Sequence, residues 1–144
     1  NYSPKPIRQV MSSYTSEILL QMMEGVVNEG TATNARIPGL RIGGKTGTTI
    51  LANPEGGYFN DRDLTSFIGV FPINNPRYVV LTIVEYPKKI KGSSQKTTGG
   101  IVNAPLVKNI ILEMIKILNI PKGRVQDILK ADINVNYINN NATL

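Results

Sequence analysis

The chain has 144 residues, 41% of them apolar, with 16 Lys and Arg against 10 Asp and Glu, and no His, Cys or Trp. That length suits one ordinary domain with its own core, and the missing residue types exclude thiol nucleophiles, disulfide frameworks, imidazole bases and zinc-type clusters. Any catalysis must run on Lys, Ser, Thr, Tyr, Asp or Glu, and the net charge of +6 favours anionic partners without choosing among them.

The longest apolar runs, such as Tyr78 to Val84, are far short of the ~20 residues that span a bilayer. The start Asn1-Tyr2-Ser3-Pro4 lacks the charge-then-apolar layout of a signal peptide. A soluble chain is expected, and the absence of an initial Met fits a segment cut from something longer.

In chain order, Ile18, Leu19, Met22, Met23, Val26 and Val27 recur at helical spacing after Ser12-Ser13 and before Gly30, which predicts an amphipathic helix from about Tyr14 to Glu29. Met22 and Met23 read as core filling. Thr31 to Leu40 is a polar connection ending in the turn signal Ile37-Pro38-Gly39. Arg41 to Ile50, rich in Gly and β-branched residues, predicts a strand of little side-chain bulk. Asn53 to Asp63 reads as a loop.

Leu64 to Phe71 and Tyr78 to Glu85 then predict an antiparallel hairpin across Pro72-Ile73-Asn74-Asn75-Pro76. The second of these strands hardly alternates, so helices are expected to cover both of its faces. A basic, flexible stretch, Lys88 to Lys96, precedes a second helix after Asn103. There Val107, Ile110, Ile111, Met114, Ile115 and Leu118 repeat, and Pro105 suits a first turn. Past Pro121 the pattern weakens into an Asn-rich tail, Asn134 to Leu144, with at most a short helix around Arg124 to Lys130. The fold class is α+β, with three antiparallel strands in sequence order flanked by helices, and the Arg41–Ile50 strand at one edge.

Gly43-Gly44-Lys45-Thr46-Gly47-Thr48 carries the sharpest chemistry, and it parses in two ways. Gly39 to Thr46 matches the phosphate-loop pattern GxxxxGK[ST], which works only when a strand feeds the glycines and a helix opens at the Lys-Thr. Pro38-Gly39 breaks such a strand, and Gly47 to Pro54 is too short and of the wrong composition for the helix. The other parse is Lys-Thr-Gly-Thr on a strand. Period 2 places the Thr46 and Thr48 hydroxyls on one face to grip a carboxylate, while Lys45 reaches round with positive charge and Gly47 adds no bulk. An edge position leaves backbone groups for an extended peptide or an oxyanion.

Ile7-Arg8-Gln9-Val10-Met11-Ser12 with Ser3-Pro4, Met22 to Ala32, Gly43 to Thr48, Ser66-Phe67-Ile68-Gly69-Val70-Phe71-Pro72, Asn75 to Val80, and Gly99-Gly100 with Ala104-Pro105 together resemble the C-terminal part of the transpeptidase domain of class B penicillin-binding proteins. The Ser-Phe-Ile-Gly stretch is most similar to the septal, cell-division type. The likeness runs from about Ser3 to Lys122, so residues 1–122 are read as a portion of that domain and 123–144 as a flexible tail.

The resemblance implies a serine D,D-transpeptidase that cross-links peptidoglycan stem peptides and is acylated by β-lactams. By the same likeness, Lys45 organises the nucleophile's hydroxyl network and the local positive potential. Thr46 and Thr48, spaced by Gly47, hold the carboxylate of D-alanyl-D-alanine or of the antibiotic, and the Thr48 N–H is one oxyanion donor. No cofactor, metal or nucleic acid is called for. Implied partners are the N-terminal part of the same enzyme and cell-division proteins, at the periplasmic face of a bacterial membrane.

The family's SxxK serine precedes its KTG motif, whereas here Ser93-Ser94-Gln95-Lys96 follows it in a basic loop, and Tyr58-Phe59-Asn60, like a variant of the second motif, reads as connecting loop. The chain is therefore expected to lack a usable nucleophile and to be inactive alone. As a part without its packing partner, it is expected to expose apolar surface and to self-associate. Beside this reading stand two others, a nucleotide-binding loop at Gly39–Thr46 and a non-catalytic interaction module.

Overall fold

The computed structural model describes residues 5–88 and 97–121. The proposed helix near Arg124, the tail, most of the basic stretch and Ser93–Lys96 lie outside them. Helix α1, Ser13–Asn28, opens where Ser12 Oγ accepts the Thr15 N–H at 3.0 Å, a cap worth about 1 kcal/mol. It closes at Gly30, where a Cβ would stand 2.9 Å from the Val26 backbone. The polar connection then turns through a short 3₁₀ segment, Thr33–Ala35, and through Pro38-Gly39, with Gly39 at φ 82°. Pro before a left-handed Gly is the signature of a type II turn.

Strands β1 (Gly43–Ala52), β2 (Tyr58–Phe71) and β3 (Tyr78–Glu85) form one antiparallel sheet in the order β1-β2-β3. The edge position expected for the Lys-Thr-Gly strand is the one found among the described residues. β2 begins earlier than its composition implied, and Tyr58-Phe59-Asn60 belong to this strand rather than to a connecting loop. The turn needs only Asn53–Gly57: Asn53 Oδ1 accepts the Glu55 N–H at 3.0 Å, the Gly56 N–H reaches the Asn53 carbonyl at 2.9 Å, and both glycines take positive φ. An Asx turn with left-handed glycines reverses the chain in few residues, so pairing resumes at Ala52↔Tyr58.

Helix α2, Gly99–Ile117, also starts earlier than expected, which puts Pro105 in its second turn rather than its first. Its stripe Ala104, Val107, Ile111 and Ile115 lies on one face of the sheet, against Phe67 and Phe71 and the segment Ala32–Ile42. Each fully buried Val, Ile or Phe contributes roughly 1.5–3 kcal/mol. Thr65, Thr82 and Asn103 are buried polar members of this layer, with Asn103 Nδ2 donating to Thr82 Oγ1 at 3.1 Å and to the Thr82 carbonyl at 3.2 Å.

α1 packs at the Gly43 end of β1, held by a two-bond ion pair in which Arg41 Nε and Nη2 meet the Glu24 carboxylate at 2.7 and 2.5 Å. Only Glu24 and Val27 of this helix are buried. Met22 is 65% exposed, so it does not fill the core, while the half-buried Met23 faces Gly43.

The expectation that helices cover both faces of β3 is not met. Tyr78, Val80, Thr82 and Val84 share the face toward α2, but Val79, Leu81 and Ile83 point away and are 64%, 57% and 56% exposed. The physical reason is placement: α2 lies against the inner face, and α1 approaches β1 without reaching β3. With Ile68 of β2, these residues form an open apolar sheet face beside Lys45.

Candidate functional site

The site is built on the central stretch of β1, whose register against β2 is Lys45↔Ile68, Thr46↔Phe67, Gly47↔Ser66 and Thr48↔Thr65. Alternation along the strand sends Lys45 and Gly47 to the open face, and Thr46 and Thr48 to the side from which α2 approaches. The expected division, two hydroxyls on one side and an ammonium on the other, is what the strand presents. Lys45 Nζ bends back along the strand to donate to the Thr46 carbonyl at 2.9 Å, which brings its charge to the backbone between the two threonines.

The phosphate-loop alternative at Gly39–Thr46 fails on this geometry. Lys45 and Thr46 stand mid-strand, and the strand runs on to Ala52 with no helix opening at the Lys-Thr. The helix that such a loop requires, opening at its own Lys-Thr, is absent among the described residues, where β1 continues instead.

Two neighbours complete the site from outside the strand. The Gly99 N–H at the start of α2 donates to Thr48 Oγ1 at 3.2 Å, and Thr31 Oγ1 lies 2.8 Å from Thr46 Oγ1. Gly99 and Gly100 permit this approach, since a Cβ on the first would run into the Ser66 and Gly47 carbonyls, and on the second into the Thr31 carbonyl. Asn34 Nδ2 donates to the Gly100 carbonyl at 3.0 Å and closes the ring of contacts. On the open face a Cβ at Gly47 would meet Ser66 Oγ at 2.5 Å, so only Gly lets that hydroxyl lie over the strand at this position. Thr97 Oγ1 donates to Asp63 Oδ2 at 3.0 Å, tying the segment before α2 to β2.

Sequence reasoning singled out Lys45, Thr46, Gly47 and Thr48 but missed what Thr31, Asn34 and Ser66 touch. A Gly-Thr pair after a helix and a Gly-Gly pair before one were the available signals, and neither names its partner strand. Among the described residues no group of three or more Asp or Glu side chains could hold a metal ion, and no helix is long and apolar enough to cross a membrane.

A sequence profile of the penicillin binding protein transpeptidase domain matches residues 2–112. The chain belongs to the penicillin-binding protein transpeptidase family. Within that family this transpeptidase segment is 42% identical over 113 residues to a peptidoglycan D,D-transpeptidase FtsI homolog of Mesostigma viride, covering 78% of the segment and 18% of that relative. It is 40% identical over 124 residues to stage V sporulation protein D of Bacillus subtilis, covering 86% of the segment and 18% of the relative.

Among solved structures, the segment superposes on penicillin-binding protein 3 from Mycobacterium tuberculosis complexed with ampicillin, at a TM-score of 0.70 and 32% identity, over 85% of the segment and 28% of that chain. The transpeptidase domain of FtsI4 from Legionella pneumophila gives a TM-score of 0.64 and 33% identity, over 73% and 37%. The transpeptidase segment thus spans about a fifth of the length of these curated relatives and about a third of these solved chains. The α+β class and the resemblance to FtsI-type class B proteins both hold.

Proposed function

We propose that Gly43–Thr48 is the recognition strand of a serine D,D-transpeptidase that cross-links peptidoglycan stem peptides in septal wall synthesis at the outer face of the cytoplasmic membrane. The observation that carries this reading is the pair of hydroxyls, Thr46 and Thr48, on one side of an edge strand whose Lys45 ammonium sits at the Thr46 carbonyl. Ionised carboxylates only accept hydrogen bonds, and two hydroxyls with a nearby cation supply donors and charge for one such group. That group is the terminal carboxylate of D-alanyl-D-alanine or the ring carboxylate of a β-lactam. The M. tuberculosis relative was solved with ampicillin and with aztreonam, which supports β-lactams as ligands of this strand.

In an edge strand, every second residue turns its N–H and C=O away from the sheet. In this reading Thr48 is one of those residues, and its N–H is a donor to the oxyanion formed when the acyl carbonyl is attacked, a contribution of several kcal/mol in such enzymes. The attacking serine, with its activating lysine, comes from a part of the enzyme outside these 144 residues. That part also covers the open face of Val79, Leu81 and Ile83.

Two outcomes test the division of labour. This chain alone should take no covalent label from a fluorescent penicillin, while the full-length enzyme should be labelled; a labelled intact-mass peak for the chain alone refutes the missing-nucleophile reading. In light scattering the chain alone should associate as its concentration rises, through the uncovered apolar face. A monodisperse monomer at high concentration, unchanged by Leu81→Lys, counts against that face being built for cover.

A further inference from the structure

Thr31 is not on the recognition strand, yet its hydroxyl is 2.8 Å from that of Thr46. Its backbone is clamped from both sides. Next to it, the Ala32 N–H bonds the Val26 carbonyl at 3.1 Å and the Ala32 side chain is fully buried. Opposite, the first turn of α2 is seated so closely on the Thr31 carbonyl that Gly100 has no room for a Cβ, and Asn34 holds the same turn through the Gly100 carbonyl. The hydroxyl is thus delivered to Thr46 by rigid neighbours and needs no ligand to place it.

A threonine hydroxyl has one proton and two acceptor sites. To hold a carboxylate it must give its proton to the carboxylate, so any other partner should be a donor. At Thr48 that condition is met by a group able only to donate, the Gly99 N–H at 3.2 Å. We propose that Thr31 does the same for Thr46: its hydroxyl donates to Thr46 Oγ1 and leaves the Thr46 proton directed at the ligand carboxylate. Thr31 is then a positioning residue for carboxylate recognition, acting through Thr46. This rests on the strand reading proposed above.

The test measures acylation in the full-length enzyme, with a penicillin and with its methyl ester, for wild type, Thr31→Val, Thr31→Ser, Thr46→Val, Thr48→Val and the double variant Thr31→Val/Thr46→Val. Loss of one oriented hydrogen bond predicts that Thr31→Val lowers the second-order acylation constant for the free acid about fivefold to tenfold. Thr31→Ser should restore it, the ester should react with wild type and Thr31→Val alike, and the double variant should be no slower than Thr46→Val. A wild-type rate for Thr31→Val while Thr46→Val and Thr48→Val are slow overturns this inference alone. So does an equal loss with acid and ester, which a merely structural role would give. Wild-type rates for both Thr46→Val and Thr48→Val overturn the strand reading, and this inference with it.

Discussion

Lys45→Ala and Thr48→Val, each made in the full-length enzyme, should slow acylation by a penicillin roughly 10- to 100-fold, the range for losing a hydrogen bond or charge contact to an ionised group. Neither change threatens the sheet. Lys45 is exposed and, among the described residues, bonds only the carbonyl of its neighbour, and Val matches Thr48 in shape, giving up the bond from the Gly99 N–H while retaining the backbone N–H assigned to the oxyanion. The two variants should therefore differ in kind. Thr48→Val weakens the grip on a carboxylate and spares the oxyanion donor, so its defect should shrink when the ligand carboxylate is esterified. Lys45→Ala removes positive potential from the whole site, so its defect should persist with the ester. Wild-type acylation by both variants, measured by stopped-flow competition with a fluorescent penicillin, would exclude the roles assigned to Lys45 and Thr48.

Phe67→Ala should be the most damaging single change in the core. Phe67 is fully buried at the centre of β2, paired with Thr46 on one side and Thr82 on the other, and its ring occupies the space where Gly44 would carry a Cβ. Truncating a buried Phe costs about 3–5 kcal/mol, which is a large part of the 5–15 kcal/mol that typically holds a domain together. The same cavity removes the floor beneath β1 at Thr46, so acylation should fall along with the denaturation midpoint. A loss below about 1 kcal/mol in chemical denaturation would show that the sheet does not depend on this ring as its burial implies.

The elements themselves were legible because their signals are local. Ser12 and Gly30 bound α1 through groups within a few residues, and Pro38-Gly39 turns the chain by its own backbone preferences. The errors arose where a longer-range contact decided. Tyr58-Phe59-Asn60 joined β2 because the turn before them closes tightly enough to bring Tyr58 opposite Ala52. The early start of α2 follows from Gly99 and Gly100 fitting against β1 and Thr31, a fact about two distant backbones. The apolar run of β3 implied two covered faces, yet only one is covered among the described residues.

Sequence alone determined the residue types of the Lys45–Thr48 strand, its alternation and its family, because period-2 geometry and the Lys-Thr-Gly-Thr pattern are written in adjacent letters. Tertiary structure alone decided how each hydroxyl is oriented. Thr31 and Gly99 stand 15 and 51 residues from the groups they contact, and a hydrogen bond at that separation depends on how α1, α2 and the sheet pack, which no local pattern encodes.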